Sequence, residues 1–483
     1  MDLHTSLLST AFCVLLLGGS VHAAPTRYEP GCDPGVGFNL VSWWNFETTG
    51  ATVWQNAVQE VYDKGFRHVS MIPIRYVDLT TGHLLADGHA QAPELAHVAA
   101  GVARAKSLGM TVTLNPFVVP DGFSTWRGTM NFSGTEATTF FGDYQQYLLD
   151  VAQVAEDHDV ERMMIGSELR ALVQDSSHNA RWTSAIAAVD SSGFVGQLGY
   201  AANWDSYRNG NLTSTFWENP AIDFMGVDAY FPLADNVQAD ASGAHPDETF
   251  ISTVEDHWTE IFDNDDHLGG SVGLFEFAAA RKSGSGMPVV FAEHGLIPFN
   301  RTTVQPHSED PGFAGNVDQA EQVNGYDALL RASDMRGDRL PEIYLWHWGM
   351  DGAADSFWYT HPNGQDVGGN KFAESLGNAA GIFLSEYVSS PVVPGDATGD
   401  RCVDEQDASI LADYWCQTVA GGADDGDFNH DGVVNAADAS ILAANWGYGT
   451  VRGESNTVPE PTMLVTLLSI AVPMLLWRRQ RKL

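Results

Sequence analysis

Strand-like and helix-like segments alternate between residues 34 and 388, with eight strand-like segments in all, which predicts an α/β chain built as a (β/α)8 TIM barrel. Two further observations point the same way. Polar and aromatic residues gather at the C-terminal ends of the strand-like segments, where a barrel places its site. No Gly-rich loop follows the first strand, which disfavours a doubly wound, dinucleotide-binding sheet. A short Pro-rich linker, residues 389–394, then marks a change of composition, and a small α-helical module is expected over 395–448.

Taken in order, residues 36–44 form an apolar first strand ending in aromatics, 52–64 a helix and 67–76 the second strand. Residues 92–108 carry helical spacing, 111–116 are strand three, 141–158 are helical and 162–167 are strand four. A helix over 178–189 leads to strand five at 196–203, and 224–230 follow as strand six. Residues 289–293 are the seventh strand and 342–348 the eighth.

The strand ends supply Trp43 and Trp44, Arg75 and Tyr76, Asn115, Ser167 and Glu168, Asn203 and Trp204, Asp228 and Tyr230, Glu293, and Trp346 to Trp348. One tryptophan at a strand end is usually packing. A ring of aromatics from four or five strands suits a carbohydrate cleft, because indole faces stack on the apolar faces of sugar rings. Two stretches share one shape: Met-Met-Ile-Gly-Ser-Glu over 163–168 and Val-Val-Phe-Ala-Glu over 289–293. In each, a buried strand delivers one carboxylate to its rim. Glycoside cleavage needs two such groups on opposite sides of the anomeric carbon. Each glutamate alone is equally well a salt-bridged rim residue. Their joint placement on strands four and seven favours a catalytic pair.

Bulk composition sets limits on partners. The 483 residues include 62 acidic and 24 basic side chains, a formal charge of -38. That argues against nucleic acid or an anionic membrane surface as partner, since both require clustered Lys and Arg. It suits a secreted protein acting on a neutral substrate. Of the four cysteines, Cys402 and Cys416 are candidates for a local disulfide in an oxidising compartment, which leaves Cys32 odd once Cys13 is removed with the leader.

Both termini read as addresses. Residues 1–23 have an apolar core and the small-x-small end Val21-His22-Ala23 of a signal peptide, without a positive n-region. Residues 458–483 run from Pro459-Glu460-Pro461 through an apolar segment to Arg478, Arg479, Arg481 and Lys482. That order resembles the PEP-CTERM sorting signal, which implies a Gram-negative-type cell, processing by a dedicated sorting enzyme, and a protein left at or beyond the cell surface. A plain C-terminal membrane anchor is the alternative.

Residues 407–415 and 438–446 repeat at an offset of 31, each preceded by an oxygen-rich loop. The second loop offers Asp427, Asn429, Asp431, Asn435 and Asp438, with Gly432 at its turn and the Val433 carbonyl as a further donor. The first offers Asp396, Thr398, Asp400, Asp404 and Asp407, with Arg401 where glycine suits the turn. Asp at position 12 and the tandem copy resemble the type I dockerin module. The resemblance implies two structural Ca2+ ions and, as a partner, a cohesin-like protein. A calcium-stapled spacer is equally open.

Glutamates at strands four and seven are the pattern of the clan A retaining glycosidases. Within that clan, Ile-Gly-Ser-Glu-Leu at 165–169, Pro116 with Trp126-Arg127-Gly128, Val-Asp-Ala-Tyr-Phe-Pro at 227–232 and Phe-Ala-Glu-His-Gly at 291–295 resemble glycoside hydrolase family 113, which contains β-1,4-mannanases. The resemblance implies Glu168 as acid/base, Glu293 as nucleophile and Tyr230 as the partner that keeps the nucleophile ionised. It adds Trp126 to the sugar-binding set. Ser167 stands where many clan members have Asn, and His294 and Leu296 also depart from the pattern. Burial beside Glu293 is expected to raise the pKa of Glu168, while hydrogen bonds keep Glu293 charged. The chemistry calls for no metal or cofactor. A glucan or galactan in place of mannan, and a surface protein that binds carbohydrate without cutting it, remain the other readings.

Overall fold

A computed structural model describes residues 34–389 and 393–448, apart from 44–46, 90–91, 207–215, 265, 269–271, 308–317, 335, 351–378, 400–401, 420–421 and 430. The leader, the Pro-Glu-Pro tail, Cys32, Trp44 and Asp400 therefore lie outside the described residues. Residues 34–390 form one compact unit, and the chain from 391 onward belongs to a second.

The strands of the large unit are β1 (Gly35–Val41), β2 (His68–Met71), β3 (Ile74–Val77), β4 (Thr111–Leu114), β5 (Phe117–Pro120), β6 (Arg162–Ser167), β7 (Gln197–Asn203), β8 (Phe224–Asp228), β9 (Val289–His294) and β10 (Glu342–Gly349). Eight of them close a parallel barrel in the order β1-β2-β4-β6-β7-β8-β9-β10. Helices α1 (Gly50–Asp63), α2 (Leu95–Ser107), α3 (Gly134–Asp157), α4 (Arg170–Gln174) and α5 (Asn179–Asp190) follow the early strands. The fold is the (β/α)8 barrel that the alternation predicts.

Side-chain alternation sorts the core. On β6, Met163 and Ile165 join the large cluster, whereas Met164 joins Ala201, Phe224, Val290, Ala292 and Tyr344 in a separate one drawn from five neighbouring strands. That second set is the inward layer that fills a barrel's interior. Thr113 and Tyr344 hydrogen-bond at 2.8 Å between β4 and β10, two non-adjacent strands. The first residues of β6, β10 and β2 meet as an ion cluster: Arg162 pairs with Glu342, and His68 lies 3.6 Å from the same carboxylate. Burial pushes Glu342 up, but Arg162 and His68 more than offset it and hold the carboxyl below its usual value.

Strands two and three depart from expectation. Strand two, expected as one run over 67–76, breaks at Pro73, and strand three, expected over 111–116, stops at Leu114 short of Pro116; neither proline has an N–H for the ladder. The chain resumes as β3 and β5, which pair with each other from Ile74 opposite Phe117 to Val77 opposite Pro120, outside the barrel. This small sheet has its own apolar cluster of Val41, Ile72, Ile74, Tyr76, Phe117 and Val119, with half-buried Trp43 and Trp346 packed on it.

In the smaller unit, α6 (Glu405–Asp413) and α7 (Ala436–Asn445) each start with a capping box, Asp404 with Asp407 and Asn435 with Asp438. Its core pairs Ala397 with Phe428, Val403 with Val434 and Leu411 with Leu442, each pair one repeat apart. The repeat thus builds one shared core from two copies. The expected Cys402–Cys416 bridge does not form. Cys402 is disulfide-bonded, but not to Cys416, which lies exposed.

Removing one member of the buried pair strands the other charge. Arg162→Met is expected to destabilise the barrel by about 3–5 kcal/mol, while Arg162→Met with Glu342→Leu restores most of that loss. Because the pKa of Glu342 is depressed, its stabilisation is present above the unfolded-state value and is lost as pH falls. Urea unfolding at neutral pH and at about pH 4 checks both statements.

Candidate active site

Glu168 and Glu293 reach the same point by different local devices. On β6 the register shifts between Met164 and Ser167, and Gly166 has φ 150. A β-carbon at Gly166 would stand 2.6 Å from the Tyr144 hydroxyl, which donates to the Ile165 carbonyl at 2.5 Å. Only glycine fits that turn. Glu168 follows with φ 54, a left-handed conformation that a side chain adopts at a cost on the order of 1–3 kcal/mol. On β9 the register with β8 slips between Val227 and Asp228, and Glu293 points inward beside Tyr230.

Arg127 joins the two carboxylates. Its Nη2 lies 3.0 Å from Glu168 Oε2 and 3.3 Å from Glu293 Oε1. The guanidinium covers the Phe117 ring at 3.8 Å from the centroid, and Phe117 lies parallel to Trp346 at 6.0 Å. Glu168 also accepts from Trp126 Nε1 at 3.0 Å and from Asn203 Nδ2 at 2.5 Å. Tyr230 donates its hydroxyl to Glu293 Oε2 at 2.9 Å. Beneath them Asp228, wholly buried, accepts from the Ser167 hydroxyl at 3.2 Å. His294 Nδ1 donates to the Ala229 carbonyl at 2.8 Å, and burial pushes its pKa down to about 4, so this imidazole is neutral.

Three carboxyls thus surround one guanidinium. Burial opposes the charge of Arg127, but Glu168, Glu293 and Asp228 together more than compensate. The burial is deeper at Glu293, 5% exposed against 13% for Glu168. This corrects the expectation that burial falls on the acid. Desolvation pushes the Glu293 carboxyl up to about 8, against the pull of Arg127, with Glu168 adding to the rise and Tyr230 opposing it. Asp228 is pushed well above the carboxylate range by burial and by the charges of Glu293 and Glu168.

Most of the remaining expected residues lie at this rim, with several corrections. Trp126, 42% exposed, and half-buried Trp43, Trp204 and Trp346 keep open surface. Trp348 does not: it is packed edge-on against Phe38 at 5.4 Å in the main core, so it lines no cleft. Tyr76 is also buried, beneath Phe123. Asp228 and Ser167 are buried beside Glu168 and Glu293 and touch no open surface. Asn115 is wholly buried, and neither amide atom has a hydrogen-bond partner among the described residues. Arg127 was not singled out as a site residue from sequence. The one available signal was an arginine between Trp126 and Gly128 just past a strand end.

Comparison with known proteins agrees with this geometry. Residues 44–356 match the family model "Glycoside Hydrolase Family 113", well over half the chain. The chain belongs to that family. It is therefore a glycoside hydrolase. Residues 394–446 match the "Dockerin type I domain" model. Among solved structures, the family 113 β-mannanase AaManA from Alicyclobacillus acidocaldarius superposes with a TM-score of 0.53 at 19% identity, over 75% of this chain and 98% of that one. A second family 113 β-1,4-mannanase gives 0.52 at 17%, over 75% of this chain and all of that one. At such identity the likeness concerns the fold. No curated protein matches the chain.

The dockerin domain offers a second donor set. Asp396, Asp407, Asp427 and Asp438 are at most 2% exposed. Asp407 accepts from the N–H groups of Ala397, Thr398 and Asp404, and Asp427 from those of Asp431 and Gly432. Among the described residues, no lysine or arginine pairs with Asp407, Asp427 or Asp438. Among them, too, no three carboxylate, His or Cys side chains converge as a metal site, and Asp400 is outside that set. Buried carboxylates held by amides and, at Asp396 and Asp407, by the Thr398 hydroxyl fit a divalent cation, which would neutralise them.

A carboxyl whose folded pKa is raised keeps its proton on folding. Its contribution is full below the ordinary value near 4.5 and is lost as pH rises through about 8. Glu293→Gln is therefore expected to melt progressively higher than the parent between pH 5 and pH 8. A melting difference that stays flat across that range would mean Glu293 is ionised throughout.

Proposed function

We propose that the chain is a secreted retaining endo-β-1,4-mannanase working by double displacement. The observation that carries the retaining mechanism is the single Arg127 nitrogen that contacts both glutamates. The two oxygens can stand no farther apart than those contacts laid end to end. That bound lies just under the roughly 6.5–9.5 Å of inverting pairs and admits the roughly 5–5.5 Å of retaining ones. The choice of mannan leans on the β-mannanases among its structural relatives.

In this reading Glu168 protonates the glycosidic oxygen while a Glu293 oxygen attacks the anomeric carbon, and the C–O bond to the leaving sugar breaks. The product is a glycosyl ester on Glu293. Glu168, now a carboxylate, takes a proton from water, whose oxygen attacks the same carbon and releases Glu293. Attack needs the charged form of Glu293, which Arg127 and Tyr230 favour and burial opposes, so the ionised fraction that reacts grows as pH rises toward about 8. Asp228, the most deeply buried of the three carboxyls, holds a proton, so the guanidinium is balanced by the nucleophile. Trp43, Trp126, Trp204 and Trp346 offer faces or edges for sugar rings.

The dockerin domain binds two calcium ions through Asp396, Thr398, Asp400, Asp404 and Asp407 in one loop and Asp427, Asn429, Asp431, Asn435 and Asp438 in the other. The ions supply structural charge neutralisation, and a cohesin-like protein is the partner. Signal-peptide export and removal of the PEP-CTERM-like tail by a sorting enzyme would leave the enzyme at or beyond the cell surface.

Product release from β-mannan, glucomannan, β-glucan and galactan tests the reading. Mannan is expected to be cut, with kcat falling roughly a hundred- to ten-thousand-fold in Glu168→Gln. Cutting of another polymer, still dependent on Glu168, would replace the substrate. Binding without cutting would replace the enzyme reading. For the calcium sites, EDTA is expected to lower the melting transition of the smaller unit and added Ca2+ to restore it, followed by calorimetry on the intact chain.

A further inference from the structure

The turn that follows β5 places a phenylalanine where its backbone least favours one. Gly122 has φ 67 and Phe123 φ 51, two left-handed residues in succession. Glycine, asparagine or aspartate would suit such a turn. Burial does not compensate, since Phe123 is 40% exposed. The ring is nonetheless held firmly. Trp43 meets it at 5.6 Å and 68°, and Tyr76 at 5.6 Å and 83°, both edge to face. Asp121 anchors the turn through His89 Nε2 at 3.2 Å, and His89 in turn packs against Tyr76.

This aromatic group is continuous with the catalytic centre. Trp43 and Trp346 pack on one apolar cluster that contains Phe117, and Phe117 carries Arg127. An exposed ring, strained at its backbone, braced on two sides and joined to the site by aromatic contacts, is built to present a face. The Asp121 carboxylate, about half exposed beside it, offers an acceptor for hydroxyls.

We propose that Phe123 is an outer stacking platform of the cleft, holding a sugar ring of the polysaccharide beyond the one attacked, so that turnover depends on chain length. This rests on the mannanase reading above and extends it to a distal ring. The occupant is a pyranose, whose C–H face matches an aromatic ring and whose neutrality suits an acidic rim.

The test compares kcat/KM on β-1,4-mannohexaose and β-1,4-mannotriose for the full chain and two variants. Phe123→Gly removes the ring and suits the left-handed backbone, so its melting temperature should equal or exceed the parent's. Its hexaose-to-triose preference is expected to fall roughly tenfold. Phe123→Trp keeps a platform and should restore the preference. Equal losses on both substrates, or an unchanged ratio in Phe123→Gly, would overturn the platform. The parent enzyme alone decides the underlying reading: if it cleaves neither oligosaccharide, the mannan assignment falls and the platform falls with it.

Discussion

Arg127 holds together a site that would otherwise repel itself. Three carboxyls crowd into a buried space, and among the described residues one guanidinium faces them. Without it, placing Glu168 and Glu293 this close would force further protons onto the cluster or spread the pair apart. The residue is itself fixed by stacking on Phe117, so the small outer sheet has a stake in catalytic geometry. Packing of an aromatic ring outside the barrel and charge balance inside it are thus one problem for this protein.

The barrel separates its electrostatic tasks by level. At the N-terminal ends, Arg162, Glu342 and His68 form a cluster in which pairing outweighs burial. At the C-terminal ends the balance is left short by at least one positive charge, and protons make up the difference. The same chemistry of buried ion pairs gives stability at one end and reactivity at the other.

Much of this was legible in the sequence, and the failures have physical causes. The apolar runs of strands four to eight end within two residues of the observed strands, because a parallel strand is buried on both faces and reads continuously. Glu168 and Glu293 stood out as the charges that close two such runs. Strand two was misjudged because hydrophobicity continues across Pro73 although the ladder does not. Trp346 and Trp348 share strand parity, so spacing could not show that one borders the cleft and the other the outer core. The depth of burial of two similar glutamates is a tertiary property, and Arg127 opens a short 3-10 turn between β5 and α3 whose placement no local pattern dictates.

The separation of β3 and β5 from the barrel has a consequence for how such an enzyme can change. Their ladder is their own, so Asp121 to Phe123 can be exchanged without breaking a ladder hydrogen bond of the barrel, whereas Trp126 and Arg127 farther along hold Glu168 and Glu293. The wall of the cleft is in this sense an attachment, and the floor is the frame. A change at Asp121 to Phe123 therefore alters the wall and leaves the strands that aim the glutamates as they are.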